Sequence, residues 1–227
     1  MCPNATALAP IRQRVLDLIK GIPFNFPPVY KVNFPNGPPS SKPGAVQGKV
    51  TNCGEFPGWI TKQVGGSGAP KDLSFKFHDQ WGDYSLTAPM TGWETWAKKL
   101  QARRGNNAEP VWIPYSKTDR PQPGDIYVLY GWTDLLIDGK HKKIYGFAHV
   151  GFIIDATGST WITADCGQGE GAGSGFSGCY QKRTFSDAKL TLQSNTVNVG
   201  KPRPDAGTKD IRGWVDLENL FKGWKPT

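Results

Sequence analysis

The segment Ile144–Asp165, IYGFAHVGFIIDATGSTWITAD, decides the fold of this 227-residue chain. Ile144 to Ile154 and Thr160 to Ala164 are rich in β-branched and aromatic side chains. Between them lie Asp155-Ala156-Thr157-Gly158, which suit a tight turn, so the segment predicts two antiparallel strands. Immediately upstream, Pro121-Gln122-Pro123-Gly124 interrupts the chain and Asp125-Ile126-Tyr127-Val128-Leu129-Tyr130 predicts a further strand. The three together predict an antiparallel meander. A period of two along its last strand sets Trp161, Thr163 and Asp165 on one face.

Working outward, Ile11, Val15, Leu16 and Ile19 recur at helical spacing after Pro10 and predict an amphipathic helix over 8–20. Residues 22–48 carry seven prolines, which remove donors and bias their predecessors to extended conformations. Phe24, Phe26, Val29, Tyr30, Val32 and Phe34 are more apolar than a free linker requires, so this arm is expected to wrap along the body. Phe56, Trp59, Ile60 and Val64 share a helical face, with Asn52 and Glu55 as a cap that sets Cys53 at the helix entry. Pro57 favours a start nearer Phe56. Trp93, Trp96, Ala97 and Leu100 predict a helix over 91–104 with Arg103-Arg104 at its C-terminal end.

Downstream, glycines at 167, 169, 171, 173, 175 and 178 make a loop that lacks the Lys-Ser/Thr ending of a phosphate cradle and reads as a rim beside a site. Tyr180–Leu192 predicts one or two returning strands, 195–208 a loop, and 211–221 a closing segment anchored by Trp214, Leu217, Leu220 and Phe221. With 28 Gly and 19 Pro, the chain calls for an α+β domain with many turns rather than a helical bundle.

A net charge of +8 and a pI near 9.3 suit a polyanionic surrounding. The bases, among them Lys99, Arg103, Arg104, Lys140, Lys142, Lys143 and Lys182-Arg183, are scattered and read as a solvated surface, with no nucleic-acid motif. No apolar run is long enough to span a membrane. Arg12, Arg14, Asp17 and Lys20 interrupt the first apolar residues, so no secretory signal pattern is present, which leaves either the cytoplasm or export by a route that does not read such a signal. Four cysteines, Cys2, Cys53, Cys166 and Cys179, show no metal spacing. Cys166 and Cys179 read either as a bridge across the glycine loop or as two separate thiols. No metal and no cofactor are expected.

A thiol attacks only as thiolate, and a helix entry and an imidazole both favour ionisation. Cys53 and His149 supply that pair in order. Cys53 at a helix entry, Pro123-Gly124-Asp125-Ile126 opening a strand, and Ala148-His149-Val150-Gly151-Phe152-Ile153 in the next strand resemble the NlpC-type and CHAP-type cysteine peptidases and amidases. The likeness runs over about Cys53 to Gln168, roughly half the chain. It implies a papain-like core with the nucleophile helix packed on an antiparallel sheet, residues 49–227 as catalytic domain, and 1–48 as an N-terminal helix and Pro-rich arm on that core. His149 lies 96 positions after Cys53, which implies an insertion within 65–118. The implied roles are Cys53 as nucleophile, His149 as base, and Asp165 as first choice to orient the imidazole, with Thr163 and Gln168 as alternatives. Asn52, Trp59 and Tyr127 are candidates to line the cleft.

The implied reaction is hydrolysis of amide or peptide bonds in the peptide stems of bacterial peptidoglycan. The small basic chain then fits an antibacterial effector delivered to the periplasm or wall of a target cell, with a cognate immunity protein as partner and neither nucleic acid nor membrane insertion. A protease or acyltransferase acting on a host protein uses the same residues. A non-catalytic module recognising glycan or protein uses the Trp-rich surface instead.

Overall fold

The computed structural model describes residues 8–21, 57, 60–61, 63–64, 92–105, 107–137, 140–165, 179–192 and 208–223. They form a mixed fold of helices and antiparallel strands in which strands predominate. The helices are α1 (Pro10–Lys20), α2 (Gly92–Arg104) and the short α3 (Leu217–Leu220). The strands are β1 (Trp112–Pro114), β2 (Ile126–Ile137), β3 (Lys140–Asp155), β4 (Thr160–Asp165), β5 (Cys179–Ser186), β6 (Lys189–Leu192) and β7 (Thr208–Val215).

The meander expected from the sequence is present as β2-β3-β4, each pair antiparallel. Its turn is set locally: Asp155 Oδ1 accepts from the Thr157 backbone N–H at 2.8 Å and the Thr157 hydroxyl at 2.7 Å, an Asx-type arrangement. Two features differ from expectation, and one reading left open is decided. The β2–β3 hairpin is longer than 125–130 and 144–154, since register continues out to Ile137↔Lys140. Residues 180–192 divide into two strands around Asp187-Ala188, both at positive φ as a two-residue hairpin turn demands. That dipeptide is a weak turn signal, which is why the sequence left one strand and two equally open.

The second difference is topological. The segment read as a closing anchor contains β7, which inserts between β1 and β2. β7 also pairs with β6, so β7-β2-β3-β4-β5-β6 closes into a six-stranded barrel with β1 attached at the other end of β7. Gly213 allows this crowding. Its φ is +152°, and a Cβ there would lie 2.3 Å from the Ile113 carbonyl oxygen.

Alternation along the strands separates two cores. Ile126, Val128, Val150, Phe152 and Ala164 point outward and join Val15 and Ile19 of α1, Trp96 and Leu100 of α2, and Leu217 and Leu220 of α3. Tyr127, Leu129, Ile153, Trp161, Leu190 and Ile211 point into the barrel. Pro57, Ile60, Thr61, Gln63 and Val64 are helical, with Ile60 and Val64 in the outer core, as their spacing predicts.

Arg12, read from sequence as an interruption of an apolar segment, is buried and fastens α1 to the barrel. Its Nη1 meets Asp125 Oδ1 at 2.6 Å and donates to the Pro123 carbonyl at 3.0 Å, while Nε meets Glu218 at 2.5 Å. Asp125 also accepts from the backbone N–H groups of Gln122 and Leu217. Burial pushes the Asp125 carboxyl up to about 6 despite the adjacent guanidinium. The aspartate of Pro-Gly-Asp-Ile is therefore a junction for α1, the β2 entry and α3.

Candidate active site

The sheet brings His149 and Asp165 together inside the barrel, at the end where β4 finishes. His149 stands on β3 opposite Leu129, and Asp165 is the last residue of β4, opposite Cys179 in the register of β5. His149 Nε2 lies 2.7 Å from Asp165 Oδ1, and both side chains are almost fully buried.

Four side chains converge on the one carboxylate. Oδ1 receives His149 and the Tyr127 hydroxyl. Oδ2 receives the Thr163 hydroxyl at 2.5 Å and Arg183 Nη2 at 3.2 Å. Arg183 Nε donates to the Thr163 oxygen at 3.2 Å, and its guanidinium lies 5.7 Å from the centre of the Tyr127 ring. Burial by itself would raise the Asp165 carboxyl; Arg183, then His149 and the hydrogen bonds outweigh it and hold the group well below the usual carboxylate range. Tyr127 moves the other way, well above its ordinary value, through burial and the charge of Asp165.

Hydrogen-bond chemistry then assigns the shared proton. An ionised carboxylate only accepts, so His149 Nε2 carries the proton and donates it, and in the neutral ring Nδ1 is the basic nitrogen. Asp165 can orient the imidazole and stabilise its charged form without taking the proton itself.

Gly151 makes the approach possible. A Cβ at that position would lie 2.2 Å from Asp165 Oδ1 and 2.8 Å from the Ala164 carbonyl oxygen. The glycine of His149-Val150-Gly151 thus leaves the space in which the carboxylate meets the imidazole, two positions along the same strand face.

Of the residues singled out in the sequence, His149, Asp165, Thr163 and Tyr127 form one hydrogen-bonded group. Tyr127 and Thr163 hold the carboxylate, Tyr127 from a buried ring rather than from a cleft wall. Asn52, Cys53, Trp59, Cys166 and Gln168 lie outside the described residues. The helical residues after Cys53 pack on the outer face of the barrel wall, whereas the His149–Asp165 pair is on the inner face.

Arg183 was missed. Lys182-Arg183 reads as solvated surface, yet Arg183 is 4% exposed. The available signal was strand alternation, which sets Gln181, Arg183 and Phe185 on the face of Trp161, Thr163 and Asp165. Among the described residues no cluster of His, Cys, Asp and Glu could hold a metal ion. A cleft of about 700 Å³ lined by Arg120, Pro121, Pro123, Ala156 and Phe185 lies at the opposite end of the barrel and does not include the pair.

The fold and site define a mixed α and antiparallel β protein with a buried, polarised histidine–aspartate pair. Comparison with protein-family models, with characterised proteins and with solved structures gives no match for this chain.

Proposed function

We propose that this protein is a cysteine-dependent hydrolase of amide or peptide bonds, with a papain-like arrangement of Cys53, His149 and Asp165 and the peptide stems of peptidoglycan as substrate. The observation that carries the proposal is the 2.7 Å contact of His149 Nε2 with a carboxylate that Arg183, Thr163 and Tyr127 keep ionised. A carboxylate fixed in that way costs a structure burial energy, and orienting a base is a use that needs it. In this reading His149 Nδ1 takes the thiol proton of Cys53 and the thiolate adds to the amide carbonyl. Backbone N–H groups at the helix entry face the oxyanion. Collapse breaks the C–N bond, the imidazolium returns its proton to the leaving amine, and water hydrolyses the thioester by the same base. No cofactor enters.

The reading requires the Cys53 sulfur to come within hydrogen-bond reach of His149 at the barrel end. Alkylation of Cys53 by iodoacetamide measures this: a reactive thiolate near neutral pH that is lost in His149→Ala supports the pair. An alkylation profile that His149→Ala leaves unchanged rejects it. Incubation with purified peptidoglycan should release new amines or muropeptides, and Cys53→Ala and His149→Ala should release none while staying folded. The basic surface suits an anionic wall, and the same reading makes the chain an antibacterial effector with an immunity protein as its partner.

A further inference from the structure

The β2–β3 hairpin continues beyond the barrel. After Tyr130↔Phe147 it runs through seven further cross-strand pairs to Ile137↔Lys140, and among the described residues these pair with no third strand. Trp132 and Tyr145 are opposite one another on this ribbon and are the large apolar side chains exposed among the described residues, at 61% and 43%. Their rings meet edge-on at 5.4 Å, and Tyr145 meets Tyr130 in the same manner at 6.1 Å. Arg212 extends the strip, its guanidinium 5.3 Å from the Tyr130 ring.

A cross-strand aromatic pair stabilises an isolated ribbon, which accounts for the pairing of Trp132 and Tyr145 but not for the face left uncovered. The polar groups around that face indicate what it fits. The Tyr145 hydroxyl donates to Asp210 at 2.5 Å, which leaves a carboxylate beside the rings with lone pairs for hydroxyl donors. Lys143 lies two positions before Tyr145, on the same ribbon face and opposite Asp134 in the register, and is exposed; alternation turns Lys140 and Lys142 to the other face. Flat rings suit the C–H faces of sugar rings, an acceptor carboxylate suits their hydroxyls, and Lys143 suits an acid group carried on the polymer. A nucleic acid, with a phosphate at every step, would meet Asp210 unfavourably.

We propose that the Trp132–Tyr145 strip is a binding surface for a carboxylate-bearing glycan strand. This binding does not depend on Cys53 or on hydrolysis. The ribbon leaves the barrel at the end that carries His149 and Asp165.

The test is titration of the full chain with peptidoglycan glycan strands stripped of their stem peptides, which present free lactyl carboxylates, followed by calorimetry. Chitotetraose, the uncharged counterpart, and a twenty-nucleotide oligo-dT run in parallel. The strands should bind the parent and Cys53→Ala alike, and chitotetraose should bind more weakly. Trp132→Ala should weaken strand binding about tenfold or more, as removal of a tryptophan anchor does. Trp132→Phe should retain most of the affinity, and Lys143→Gln should lower it without changing the melting temperature. The proposal is overturned if the strands do not bind, if Trp132→Ala binds them as the parent does, if chitotetraose binds equally, or if oligo-dT binds more tightly. Loss of hydrolysis in Cys53→Ala with binding intact would separate this surface from the catalytic reading.

Discussion

Gly151→Ala is the sharpest probe of the site because the geometry fixes what must move. The new methyl would lie 2.2 Å from Asp165 Oδ1, whereas ordinary contact begins at 3.4 Å, so the carboxylate and the methyl must separate by about 1.2 Å. The Ala164 carbonyl at 2.8 Å and the Tyr127 ring at 3.0 Å block retreat on the other sides. A shift of that size along the bond to His149 would lengthen 2.7 Å to about 3.9 Å, beyond a hydrogen bond. Overpacking costs about 1–3 kcal/mol. For a chain of this length that lowers the melting temperature by about 2–12 °C. Under the proposed hydrolase reading, misplacing the carboxylate by about 1 Å should cost on the order of a hundredfold in turnover. Gly146→Ala is the control, since nothing lies within 4 Å of a Cβ there. Calorimetry gives the stability, and nitrogen-15 spectra of the His149 ring report whether Nε2 still carries the bonded proton. Wild-type melting together with an unchanged His149 signal in Gly151→Ala would refute the close approach of Asp165 to that strand.

Further outcomes follow from the buried charges. Arg12→Met leaves Asp125 buried without its cation and should cost about 3–5 kcal/mol at neutral pH, read by urea unfolding. Because the folded carboxyl is raised to about 6 from 3.8, its contribution to stability is greatest below about pH 4 and declines as pH rises to 6. Removing Arg12 raises the carboxyl further, so the penalty should be smaller at pH 5 than at pH 7.5, and an equal loss at both would contradict the assignment. Arg183→Met removes the counter-charge from Asp165 and should destabilise by about 3 kcal/mol. Asp165 is depressed in the folded state, so its stabilisation is present above about pH 4 and is lost as pH falls below; Arg183→Met lets the folded carboxyl rise, so the difference from the parent should narrow as pH falls below about 4 in the same melts. Glu94 accepts from Arg212 at 2.9 and 3.0 Å and from Lys98 at 2.5 Å, but both partners are half exposed, so Glu94→Gln should cost only about 1 kcal/mol at pH 7. Its carboxyl is lowered, and the difference from the parent should fade as pH drops through the ordinary carboxylate range.

The meander was legible because its information is local. Alternating β-branched and aromatic residues, an Asx turn and a Pro-Gly boundary each act within a few positions. Asp165 and Thr163 could be set on one face from the period of two alone, and the structure finds them there with His149 one strand away. β1 and β7 were not legible. One has three residues, and the other, TKDIRGWV, mixes charges with apolar residues because different parts of it pair with β6, β2 and β1. Such pairings join positions from 17 to 103 residues apart, and no local pattern records them.

By itself, then, the sequence determined the helix over 8–20, the helix over 91–104, the β2-β3-β4 order and the candidacy of His149 and Asp165, since spacing and side-chain type are properties of a short stretch. Only the tertiary structure decided that the sheet closes, that Arg12 and Arg183 are interior cations rather than surface charges, and that Gly151 is the gap into which Asp165 fits. A charge in a sequence does not say whether water or a carboxylate will surround it. That depends on which element packs beside it: β5 pairing with β4 brings Arg183 to Asp165, and α1 packing at the β2 entry brings Arg12 to Asp125.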